Sequence, residues 1–164
     1  MSREILEFLK ESNAIEGVHG AVSLRQARLA WEYLVKQKEL TKDVVLETHG
    51  ILMKNQDLKP EYKGKFRDCE VRIGGRYGLH FWEIPEAINK WLGDVATSIE
   101  IPGIDGKHIR LDHIEYERIH PFADGNGRTG RMFMNWQRLK AKLPILIIHT
   151  GDEQWEYYDW FKDG

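Results

Sequence analysis

The sequence predicts an all-α, mainly helical protein with one short β-hairpin. Apolar residues recur at helical spacing through most of the chain, whereas a single glycine-rich stretch, residues 58–82, breaks that period and alternates instead. With 164 residues, 41% of them hydrophobic and 30% charged, the chain is long enough to bury one core, so residues 1–164 read as a single domain. Its 24 basic and 26 acidic residues leave a net charge of −2, which offers no argument for a nucleic-acid or membrane surface. The lone Cys69 excludes an internal disulfide and a cysteine-based zinc site, and suits a reducing cytoplasm. No apolar run reaches membrane-spanning length and the N-terminus lacks the apolar core of a signal peptide.

Residues 3–16 form the first expected helix, with Ile5, Leu9, Ser12 and Glu16 on one face and Gly17 as its stop. The last turn of that face is polar, and on its own it reads as a solvated helix end. A second helix is expected over 23–39, opened by Ser23 and Gln26 as a capping box, with Leu24, Ala27, Trp31 and Leu34 facing the core. A third covers 42–55 with Val45, His49, Leu52 and Met53 on one face and Asp43 near its start; His49 reads as a packing histidine rather than a catalyst.

In 58–82, Pro60, Gly64, Gly74, Gly75 and Gly78 exclude a helix, and Val71 and Ile73 alternate with Glu70 and Arg72 as a half-exposed strand does. A hairpin is the expectation. After Pro85 an amphipathic helix carries Ile84, Ile88, Trp91, Leu92, Val95 and Ile99, and residues 101–106 connect it to the next. That next helix, from about 107, places Ile109, His113, Tyr116 and His120 on one face. Beyond it, Met132, Phe133, Trp136, Leu139 and Leu143 mark a helix beginning near Arg128, which Pro144 ends. Ile145 to Ile148 is compatible with a buried strand or a helix, and Trp155, Tyr158, Trp160 and Phe161 are expected to pack as a final helix against the core, with part of a base pocket or an interface as the alternative.

The chemistry concentrates in His120 to Arg131. Pro121 disfavours helical geometry at His120, so the chain leaves the helix there. Gly125 and Gly127 then allow a tight, amide-lined loop that feeds the first turn of the following helix, a ready site for phosphate oxygens. Arg128 and Arg131, three apart, place two guanidinium groups on one side of that turn. Asp124 is a hard oxygen ligand suited to magnesium held against phosphates, and His120 is the nearby group whose ordinary pKa suits a general base. The residues alone imply a magnesium-polyphosphate site with a base beside it.

This stretch resembles the signature of the Fic family, HxFx[D/E]GNGRxxR, and all eight specified positions match. The resemblance covers about residues 5–140 and implies the Fic fold, a compact helical bundle with 107–143 as its catalytic helix-loop-helix. It implies a protein adenylyltransferase: ATP as co-substrate, Mg2+ on Asp124, phosphates on Gly125, Asn126, Gly127, Arg128 and Arg131, and His120 as the base that activates a Ser, Thr or Tyr hydroxyl of a target protein. Residues 58–82 are similar to the family's flap through Gly64, Arg67, Val71, Ile73, Gly74 and Gly75, so Val71, Arg72, Ile73, Gly74 and Gly75 are expected to dock the target by strand pairing. Residues 12–17 resemble the [S/T]xxxE[G/N] inhibitory motif, which implies an inhibitory helix over 3–17 with Ser12, Glu16 and Gly17 as its motif and Glu16 competing at Arg131 for the γ-phosphate. Removal of AMP, phosphate transfer, a silent nucleotide-binding module and the toxin half of a partner pair are the alternatives, and the oligomeric state stays open.

Overall fold

A computed structural model describes residues 1–162. Seven helices run α1 (Arg3–Ile15), α2 (Ala21–Leu34), α3 (Lys42–Met53), α4 (Ile84–Ile99), α5 (Gly106–Ile119), α6 (Asn126–Lys140) and α7 (Asp152–Asp159). Between α3 and α4 lies one antiparallel hairpin, β1 (Arg72–Ile73) with β2 (Arg76–Tyr77), flanked by 3-10 turns at Pro60–Tyr62 and Phe81–Glu83. The mainly helical expectation holds, and the strands are two residues each, joined by Gly74 and Gly75, both at positive φ, as the tight turn.

The central element is α6. It touches α1, α3, α4 and α5, and it is buried continuously from Arg128 to Gln137, so it behaves as a core helix rather than an amphipathic surface one. Around it, Trp31, Leu34, Leu52, Met53, Ile88, Trp91, Tyr116, Phe133 and Trp136 form one apolar cluster. Trp91 is typical: 2% exposed, edge-tilted against Tyr116 and Phe133, with its indole N–H donated to the Asp112 carbonyl at 2.8 Å. A smaller cluster of Ile15, Ile104, Ile109, Met134, Ile148 and Tyr157 ties the end of α1 to the C-terminal segment.

α1 stops as the sequence predicts. Gly17 adopts φ +67, and the Gly17 and Val18 amides return to Ala14 and Asn13, the paired bonds of a Schellman end. This fixes where Glu16 emerges.

Elsewhere the boundaries differ. α2 begins at Ala21, two residues before Ser23, behind Gly20 with no side-chain cap, and it ends at Leu34 rather than 39. Ser23 and Gln26 form no capping box: the Ser23 hydroxyl accepts from Gln56, and Gln26 donates to the Ile51 carbonyl at 2.7 Å, so both serve the contact between α2 and α3. α6 starts at Asn126, two residues earlier than expected, and stops at Lys140, which leaves Leu143 outside it and Leu139 at 43% exposure. Residues 145–148 are neither helix nor strand; Asn135 brackets the backbone of Leu146 through both its amide groups, replacing the bonds a ladder would supply. In α7 the buried aromatic is Tyr157, while Trp155 stands 67% exposed.

Candidate active site

His120 ends α5 in the left-handed region, φ 49 and ψ 62. For a non-glycine residue that costs about 1–2 kcal/mol and needs local support. The support is Arg67. Its Nε donates to the His120 carbonyl at 2.7 Å, its Nη2 to the carbonyls of Leu79 and Ile119, and its Nη1 to that of Cys69 at 2.8 Å, while its backbone amide reaches Pro121. One guanidinium thus closes the C-terminal carbonyls of α5 and ties them to the hairpin segment. The Val71 and Ile73 side chains pack over Gly78 beside the same group, at 3.2 Å from where a Cβ would stand.

The ring of His120 has one committed nitrogen. Nδ1 lies 3.2 Å from the Glu117 carbonyl, which only accepts, so Nδ1 carries the hydrogen and Nε2 keeps its lone pair. Burial, foremost, and the Arg67 charge hold the imidazole below its ordinary pKa, against the opposing pull of that carbonyl, Glu16 and Asp124.

The loop after His120 is built by its own asparagine. Asn126 Oδ1 accepts from the Phe122 amide and Nδ2 donates to the Phe122 carbonyl, both at 2.8 Å, so this side chain shapes the loop. Phe122 stacks on His49 with centroids 3.7 Å apart. His49 accepts the Gly64 amide on Nδ1 and donates from Nε2 to the Asp124 carbonyl, each 2.9 Å, and burial pushes its pKa down to about 4. It is a neutral strut beneath the loop. Gly125, at φ +84, lies where a Cβ would stand 2.9 Å from Met53 Sδ.

Past Gly125 the first turn of α6 has no side-chain cap, which leaves the amides of Asn126, Gly127 and Arg128 as a candidate anion site. Arg128 is 2% exposed; it donates to Gln56 at 3.2 Å, lies 3.6 Å from Asp124 Oδ2, and its Nε is buried without a partner. Arg131 is equally buried and fully engaged: Nε meets Ser12 Oγ at 2.9 Å, Nη2 meets the Ser12 carbonyl at 2.9 Å and Glu16 Oε1 at 2.7 Å, and Nη1 meets the Tyr157 hydroxyl at 3.3 Å. Burial works against its charge, but Tyr157, Glu16 and Glu117 outweigh this and hold its pKa above the ordinary value. The Glu16 carboxylate also presses on Gly127, where any Cβ would collide with Oε1. A carboxylate therefore lies over this candidate site.

A model of the Fic/DOC family matches residues 39–137, more than half of the chain. The chain belongs to the Fic/DOC family. The Fic chain is 29% identical over 157 residues to the protein adenylyltransferase Fic of Aedes aegypti and 31% identical over 157 residues to that of Drosophila erecta, covering 94% of itself in each case. It spans about 30% of the length of these curated relatives. Its fold is similar to that of a Fic domain-containing signaling protein from Bacteroides thetaiotaomicron, with TM-score 0.78, 20% identity and coverage of 94% of this chain and 69% of the other. Against a Fic-1 fragment from C. elegans the TM-score is 0.73, with 20% identity and coverage of 94% and 53%.

For this Fic chain, the structure brings His120, the 125–127 amides, Arg128, Arg131, Ser12 and Glu16 together, and leaves the Asp124 carboxylate exposed at the rim with Oδ1 on the Gly125 amide at 2.6 Å. The tips of the hairpin, Gly74 and Gly75, point away from close contact with other groups. Among the described residues no cluster of three or more His, Cys, Asp or Glu could hold a metal, and no helix is long and apolar enough to cross a membrane. A cation at Asp124 would thus need oxygens from a bound polyphosphate, which is how magnesium is commonly held. Sequence reasoning did not single out Glu117, Gln56 or Tyr157, and saw Arg67 only as part of the flap pattern. Nothing in their own spacing marks them; each gains its role from a partner on another element or, for Glu117, from its place beneath His120.

Proposed function

We propose that this chain is a protein adenylyltransferase that moves AMP from ATP to a hydroxyl side chain of a target protein and is restrained by its own α1. The observation that carries the reading is the union, at one helix start, of an uncapped amide turn, two buried arginines and a histidine with its Nε2 free. Nε2 takes the proton of the target hydroxyl as its oxygen bonds to the α-phosphorus and the bond to pyrophosphate breaks. The amides of residues 126–128 and Arg128 stabilise charge on the phosphate oxygens, and Arg131 orients the γ-phosphate so that the leaving group lies opposite the nucleophile. Asp124 would hold Mg2+, which when bound neutralises phosphate charge. The hairpin supplies an exposed edge at Val71 to Gly75 for strand pairing with the target.

Glu16 restrains the reaction by holding Arg131 and the space over Gly127 that the γ-phosphate needs. Residues 1–164 act as one Fic unit, and its single Cys69 suits a reducing cytoplasm. Mass spectrometry of the Glu16→Gly protein after incubation with Mg2+ and ATP tests the reading: protein bearing an added AMP is expected, and a gain of phosphate alone or no gain would overturn it.

A further inference from the structure

Glu117 is the titratable group closest to the base that the reaction above does not use. It sits one helical turn before His120 on α5, with Oε2 3.7 Å from His120 Nδ1 and a side chain only 13% exposed. Its Oε1 is buried with no hydrogen-bond partner. The space is tight: a Cβ on Gly130 of α6 would stand 2.5 Å from that oxygen, so glycine at 130 is what admits the carboxyl. A carboxyl group placed against a helix backbone without a partner is costly to bury, and packing alone would be met better by leucine.

We propose that Glu117 is a positioning residue for His120, forming with it a carboxylate–imidazole dyad that holds Nδ1–H and turns Nε2 toward the transfer site. This rests on the adenylyltransferase reading. As Nε2 takes the target proton, the imidazole becomes a cation with both nitrogens protonated, and the Glu117 carboxylate balances that charge without itself taking the proton. The move needed is short, since Nδ1 now bonds the Glu117 main-chain carbonyl at 3.2 Å and the carboxylate of the same residue waits at 3.7 Å.

Arg131 on α6 and Glu16 at the end of α1 act on the charge of Glu117, and the other titratable groups that face it are His120 and Tyr116 on α5 and Tyr157 on α7. Burial raises its pKa to about 7, with Arg131 opposing and Glu16 adding to the rise. Glu117 is therefore a partly neutral acid near pH 7 and an anion above it, so the dyad assembles as pH rises through about 7.

The test is an NMR titration of the full chain labelled at histidine ring and glutamate carboxyl carbons, alongside AMP transfer in the Glu16→Gly background. In the parent, the Glu117 carboxyl and the His120 ring are expected to share a titration step. Glu117→Gln, which keeps shape and removes charge, is expected to lower the His120 pKa, cut kcat about 10-fold or more with KM for ATP unchanged, and move the acid limb of the rate profile to lower pH. Glu117 and His120 titrating independently in the parent, or a Glu117→Gln chain with His120 pKa and pH profile unmoved, would overturn the proposal. Because the parent titration needs neither a variant nor catalysis, it stands even if Glu117→Gln folds poorly. A shared titration without AMP transfer would count against the adenylyltransferase reading while leaving the dyad in place.

Discussion

Glu16 Oε1 lies 2.7 Å from Arg131 Nη2 across a separation of 115 residues, so the last turn of α1 is fastened to the helix that follows the phosphate loop. Glu16 is 37% exposed on its far side, whereas Arg131 is buried, which makes the carboxylate the member that can leave. Arg131 keeps its two bonds to Ser12 and one to Tyr157 when it does. Glu16→Gly is accordingly expected to raise AMP transfer at least ~10-fold, about 1.4 kcal/mol in barrier, and to lower the melting temperature, because the buried Arg131 charge loses one partner. Equal labelling of wild type and variant with α-labelled ATP would remove the restraint.

Replacing His120, the proposed base, separates chemistry from binding. In the Glu16→Gly background, His120→Ala is expected to reduce transfer by ~10²-fold or more while calorimetry still detects ATP binding, since the proposed phosphate contacts lie on α6. An unchanged rate would strip His120 of its role.

Arg67 links stability to His120. Four carbonyls, of Cys69, Leu79, Ile119 and His120, accept from its guanidinium. Lysine has a single ammonium and cannot span them. Arg67→Lys is expected to cost about 2–4 kcal/mol in urea unfolding and to lower AMP transfer, because His120 loses the bond that keeps its backbone left-handed. A variant as stable as wild type would show that the α5 end is held by other means.

Much of this was legible in advance because the relevant signals are local. Pro121 after His120, glycines at 125 and 127, and the helical spacing of Met132, Phe133 and Trp136 determine the loop and the helix it feeds without reference to other elements. Gly17 does the same for the end of α1. What the sequence hid depends on contacts between distant residues: Ser23 and Gln26 satisfy a capping pattern yet face α3, and Leu139 keeps the helical period on a side that nothing covers. Asn126 was legible as part of the site, but not that its side chain would be spent on Phe122.

Acid should loosen the floor of the site before the rest. His49 is neutral in the folded chain, with its pKa lowered from 6.5 to about 4, so protons bind the unfolded chain more readily. Stability is therefore complete above pH 6.5 and declines as pH falls toward 4, by roughly 3 kcal/mol from this group. Urea midpoints between pH 7 and 4 are expected to fall, and His49→Gln, lower in stability at pH 7, is expected to flatten the slope. A slope unchanged by that substitution would assign the acid sensitivity elsewhere.

The outer side of α1 is latched by a second histidine with the opposite sign. His149 meets Glu7 at 3.1 Å and Glu153 at 2.8 Å, and Thr150 donates its amide to Glu11 at 3.0 Å, joining α1 to the start of α7. The hydrogen bonds to Glu7 and Glu153 raise the His149 pKa. A raised pKa means that the extra stability is fully present below pH 6.5, the ordinary value, and is lost as pH rises through the folded-state value. The gap in melting temperature between wild type and His149→Ala is expected to be widest below pH 6.5 and to narrow above it. If α1 is the restraint, losing the latch also lets Glu16 leave Arg131 more often, so His149→Ala should label itself faster than wild type at pH 6, whereas the same substitution added to Glu16→Gly should change nothing. Faster labelling in both backgrounds would mean that His149 acts on the reaction by a route other than α1.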